Sequence, residues 1–104
     1  MGQAERRDAL LARRLDLVAN VSALTAEAQR LNQKRAGLEM DVLRMELEIG
    51  RSGASAQLVQ DLHGAQESAE AVMNARAACE DRIAAAESEV AAVDRELAAT
   101  TNED

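Results

Sequence analysis

Six large apolar residues, Leu10, Leu17, Leu24, Leu31, Leu38 and Met45, recur at seven-residue intervals without a miss. Four residues after each stands a member of a second set: Arg14, Val21, Ala28, Arg35, Val42 and Ile49. In a heptad lettered a to g, the first set takes d and the second takes a. Side chains alternating three and four apart draw one narrow stripe along an α-helix, and such a stripe is buried only against another helix. The first half of the chain is therefore a coiled-coil strand. A heptad specifies how a chain holds a partner and leaves open which partner it holds.

Composition agrees. The 104 residues contain no Phe, Tyr, Trp or Pro, and 23 are alanine. Aromatic side chains bury the most area per residue and dominate globular cores, so their absence argues against a globule built on a thick core. Without proline the strongest helix breaker is missing. Alanine leads the helix formers, with Leu, Arg, Glu, Gln and Met close behind. The expected fold class is all-α: two long helices joined by a Gly/Ser turn, an antiparallel helical hairpin assembling into a dimeric helical bundle. One coiled-coil module spans residues 1–104, as a domain or as a segment of a larger protein.

The break falls at Gly50-Arg51-Ser52-Gly53-Ala54-Ser55, where two glycines and two serines supply a C-terminal cap, a turn and a new N-cap. Helix one is predicted over about residues 4–49, the turn over 50–55, helix two over about 56–99, and a frayed acidic tail over 100–104. Helix two has its own stripe, with a at Leu62, Ala69, Arg76, Ile83, Val90 and Leu97, and d at Leu58, Ala65, Val72, Cys79, Ala86 and Val93. Helix one's register continued unbroken would place d at residue 59, so the phase slips by one residue at the glycines. An uninterrupted coil keeps its phase or shifts it by three or four. Slip and glycines coincide, as a turn requires. Folding back there sets Ile49 against Leu58, Leu38 against Ala69 and Leu24 against Ile83. Along the flanks Arg13 is expected to face Glu96, Glu27 to face Arg82, and Glu48 to face Asp61 unfavourably. The competing arrangement is a parallel dimer of kinked helices, since Val and Ile at a with Leu at d favour two parallel strands.

Little here points to chemistry. His63, the single histidine, falls at an outward b position with only Asp61 and Glu67 near it, too few groups for a metal or a catalytic base. Cys79 sits at d, where a small packing residue belongs. It is the single cysteine, which excludes an internal disulfide and fits a reducing compartment. No nucleophile–base pair, phosphate loop or ligand cluster is present, so an enzyme is not expected, nor any cofactor or small-molecule ligand. There is no apolar run long enough to span a membrane, and the opening Met1-Gly2-Gln3-Ala4-Glu5-Arg6 carries neither a myristoylation signal nor a secretory one. The expected setting is cytoplasmic, with the nucleus as the alternative.

Two surfaces remain for partners. Ala36, Met40, Leu43 and Leu47 form a second seam, spaced four, three and four on the face away from the first stripe, and Leu11, Leu15 and Val18 widen the apolar surface nearer the start. A helix with two seams normally sits in a bundle of three or more. The other surface is electrostatic. Residues 1–52 hold nine basic and eight acidic groups (+1), whereas residues 53–104 hold three and eleven (−8), for a net charge of −7. Arg6, Arg7, Arg13, Arg14, Arg30, Lys34 and Arg35 make helix one basic enough to dock on an acidic polymer such as a microtubule or a kinetochore-type partner. Nucleic acid is disfavoured, because no aromatic side chain is available to stack on bases. Heptads of this kind are shared with segments of cytoskeletal and scaffold proteins in general and single out no family. The leading expectation is thus a structural module for oligomerisation or scaffolding, binding a second copy of itself and another helical protein. The electrostatic module is the alternative.

Overall fold

The computed structural model describes residues 2–102 and is an all-α, two-helix hairpin. Helix α1 is Gln3–Ser52 and helix α2 is Ala56–Asn102. The competing parallel arrangement of two chains is not what this chain adopts, because each α1 segment finds its seam partner within the chain.

Only three residues join the helices, fewer than the six expected. Gly50 stays helical, as Gly37 does, because a glycine inside a helix costs about 1 kcal/mol without ending it. The helix stops where the backbone turns left-handed, at Gly53 with φ of 84°. The Gly53 N–H donates to the Ile49 carbonyl at 2.8 Å, the single bond that closes an αL cap. Ser55 then starts α2. Its Oγ accepts the Leu58 N–H at 3.1 Å, and its carbonyl accepts the Val59 N–H at 3.0 Å, which is what an N-cap serine contributes. Ser52, by contrast, turns its hydroxyl back on its own helix and donates to Glu48 at 3.1 Å.

Helix α2 also runs past the expected start of its tail. Thr100 and Thr101 are helical, each with its hydroxyl donating to the Leu97 carbonyl (2.8 and 3.1 Å). Thr100 is buried because it follows Val93 by seven and so occupies the next d position. Asn102 is the last helical residue, and Glu103 and Asp104, which complete that expected tail, lie outside the described residues.

The chain divides into two compact units. One contains the turn and comprises Glu27–Ala78. Its α1 stripe from Ala28 to Ile49 is half-buried at every a and d position, as is its α2 stripe at Leu58, Leu62, Ala65, Ala69 and Arg76, and Val72 is buried. The other unit joins the α1 segment ending at Ala26 to the α2 segment beginning at Cys79. In it Leu10 is buried on α1, and Cys79, Ala86, Val93 and Thr100, four successive d positions, are buried on α2. Its cross-helix bonds run Arg7 to Thr101, Arg14 to Asp94 and Leu24 to Cys79, so rising numbers on one strand meet falling numbers on the other. The strands are antiparallel.

Off the two stripes, Ala26, Asp41 and Ala92 alone among the described residues are half-buried. The rest of the surface is exposed. From Val72 onward the small side chains at d in α2 are buried, whereas the α1 leucines at d after Leu10 keep their outer edges in water, the outcome when one helix has only one neighbour.

The two kinds of glycine should respond oppositely to alanine. Neither position offers a steric obstacle to a Cβ. Gly37→Ala should stabilise by about 1 kcal/mol through helix propensity. Gly53→Ala should destabilise by about 1–2 kcal/mol, the strain of a left-handed non-glycine residue. Urea denaturation of both variants checks the signs.

Candidate interaction surface

With the stripes turned inward, the remaining faces carry whatever function the chain has. In the turn-containing unit the outward side of α1 presents Met40 (58 % exposed), Leu43 (48 %) and Leu47 (56 %), with Ala36 also exposed one turn earlier. They stand at heptad positions f, b and f, far from the d and a rows that meet α2, which is why hairpin closure leaves them in water. Helix α2 of the same unit adds Val59 and Met73 at e positions, both exposed. The sequence reading passed over these two. Their signal was present, as large apolar residues interrupting an alanine-rich helix just beside its d row.

In the unit that holds the α1 start, Leu11, Leu15 (70 % exposed) and Val18 are exposed at e, b and e. They follow the same logic, lying one step around the helix from the stripe.

Six arginines of α1 are engaged within the chain: Arg7, Arg13, Arg14, Arg30, Arg35 and Arg44. Arg14 places Nε 2.6 Å from Asp94 Oδ1, and this hydrogen bond, reinforced by the charge of the carboxylate, raises the guanidinium pKa above its ordinary value. Arg13 pairs with Glu89 at 3.3 Å rather than with Glu96. Both acids hold g positions on the same flank, one heptad apart, and a long guanidinium arm reaches either. Arg7 donates to the Thr101 hydroxyl at 2.8 Å. In the other unit Arg35 pairs with Glu39 at 2.9 Å, and Arg30 and Arg44 pair with Glu27 and Asp41 one turn back. Glu27 is thus bound within its own helix and not across to Arg82. Glu48 and Asp61, expected to oppose each other, accept hydrogen bonds from Ser52 and Gln57 on their own helices. Such exposed pairs are worth about 0–1 kcal/mol each. They orient flanks more than they hold the fold.

Cys79 is 2 % exposed, and its thiol donates to the Leu24 carbonyl at 3.2 Å. It lies at a seam contact, consistent with a packing residue. His63 is exposed and borders a shallow, open depression beside the turn with Val59, Gln60 and Ala54–Ala56. Among the described residues, no group of three or more His, Cys, Asp and Glu side chains converges as a metal site, and no helix is long and apolar enough to cross a membrane.

Comparison of the chain with protein-family models, with curated proteins and with solved structures finds no match.

The burial of Cys79 should be visible chemically. A thiol reagent should label it in the native state at least about a hundredfold more slowly than in urea, because reaction waits for the helices to open. Labelling at the unfolded rate would show that the seam does not close over position 79.

Proposed function

We propose that the chain is a structural interaction module, a helical hairpin that self-associates and serves as an oligomerisation or scaffold element with no enzymatic activity of its own. The observation that carries this reading is the ordered cluster of Met40, Leu43 and Leu47, three large apolar side chains left about half exposed on one helix face. Scattered apolar residues are ordinary on protein surfaces. A run at helical spacing along one face is what a further helix packs against. The pairing of the two helices also argues for assembly, since helical stability comes chiefly from tertiary packing, and a single alanine-rich seam returns only about 1.5–3 kcal/mol for each large side chain fully buried.

The alternative, docking of a basic first helix on a microtubule or other acidic polymer, finds no comparable observation in its favour. Arg13, Arg14, Arg30 and Arg35 already face carboxylates of this chain, which lowers the field a distant polyanion would feel.

The test combines molar mass in solution with thermal melting. Melting should depend on concentration over a hundredfold range, and the mass should be that of a dimer or larger. Replacing Leu43 and Leu47 together by Glu should reduce the species to one hairpin with a lower melting temperature, because unpaired charge in a packed apolar interface is strongly unfavourable. Charge replacement at exposed His63 should change little. A chain that stays at the mass of one copy, melts independently of concentration and ignores the double substitution would refute the proposal.

A further inference from the structure

We propose that the occupant of the Met40–Leu47 face is the same face of a second copy, and that the two α1 helices pack parallel. This rests on the interaction-module reading and adds to it a partner, a surface and a direction. All the residues concerned lie within the turn-containing unit.

The seam has a heptad of its own. Ala36, Met40, Leu43 and Leu47 follow one another by four, three and four, so Met40 and Leu47 hold its a-type places while Ala36 and Leu43 hold its d-type places; Gly50 continues the d-type row. The residues bordering this second stripe are not mixed in sign. Immediately before each a-type residue stands an acid, Glu39 before Met40 and Glu46 before Leu47. Immediately after two successive d-type places stands an arginine, Arg44 after Leu43 and Arg51 after Gly50. One border is acidic and the other basic, and Glu39, Arg44, Glu46 and Arg51 are all exposed.

That division of charge selects the direction of packing. In a parallel pair of helices, the residue before a meets the residue five further along the partner. Glu39 then meets the partner's Arg44 and Glu46 meets the partner's Arg51, and two-fold symmetry doubles both pairs. An antiparallel pair would set acidic border against acidic border and basic against basic. Within the chain, Arg35 pairs with Glu39 and Arg44 with Asp41 along the helix, whereas Glu46 and Arg51 form none of the ion pairs observed. The latter two are the ones a second copy would complete. The alternative stripe of this unit is no rival, because its a and d rows are already covered by α2.

The experiment uses the full chain in two arms. In the first, Gln33→Cys and Gly50→Cys, which extend the second stripe at either end, are introduced singly into a Cys79→Ser background and oxidised. A Cβ at position 50 meets open space. Parallel packing brings each new thiol next to its own copy, so each variant should form disulfide-linked dimers alone. Antiparallel packing would give cross-links only when the two variants are mixed. In the second arm Cys79 is retained. Glu39→Arg with Glu46→Arg should weaken self-association at least about tenfold by making both borders basic. Mixing that chain with one carrying Arg44→Glu and Arg51→Glu should restore it, as read by sedimentation equilibrium. Cross-links that appear only on mixing, or an association constant indifferent to the charge reversals in a chain that still self-associates, would overturn the parallel seam and leave the module standing. A wild-type chain that stays at the mass of one copy across the concentration series would remove both.

Discussion

The hairpin depends on the d row of α2. Val72, Cys79, Ala86, Val93 and Thr100 are successive members of it, and all five are buried, whereas most of the α1 stripe opposite is only half-buried. Small side chains let two helices approach closely, and a large residue on one side packs best against a small one on the other. Alanine and cysteine therefore act here as more than good helix formers. They make room for the leucines of α1, and the thiol of Cys79 comes near enough to bond a carbonyl of the opposite strand. A large residue placed in this row would have to push the helices apart, and overpacking of that kind is itself destabilising.

The turn is the second necessity, and it is built from two local devices. A left-handed Gly53 ends α1 and a Ser55 side chain begins α2. Neither needs any long-range contact, since the bonds that form them join residues only three or four apart. The ion pairs come last in importance. Arg13–Glu89 and Arg14–Asp94 are exposed and individually weak. They favour the antiparallel register in their unit and give Arg13 and Arg14 carboxylate partners on the opposite strand.

Function, on this view, follows from what one pair of stripes leaves uncovered. A helix with a single neighbour can hide only a narrow strip of its circumference, and α1 carries apolar residues well beyond that strip. Met40, Leu43 and Leu47 remain wet in one unit and Leu11, Leu15 and Val18 in the other. The signs of the flanking charges then determine which direction of packing a second copy would meet with attraction.

Much of this was legible in the residues alone. The seven-residue recurrence from Leu10 to Met45, the shifted recurrence in α2 and the Gly/Ser cluster between them specify two helices, their inward faces and a reversal, because each is a local property of periodicity or turn chemistry. The exposed candidates were legible for the same reason, since a residue at b, e or f lies off the a and d rows. What the sequence did not decide is finer. It did not say that Gly50 would continue the helix while Gly53 ended it, because only the backbone conformation distinguishes the two glycines. It did not place Arg13 on Glu89 rather than Glu96, because both acids hold g positions on that flank and the choice depends on where the two helices settle. Nor did it reveal that Thr100 is buried, a residue polar enough to read as tail until α2's d row is followed to its end. Periodicity along one strand sets which face is buried, while pairing, depth and the end of the helix depend on the other strand, and that is settled only when the two pack.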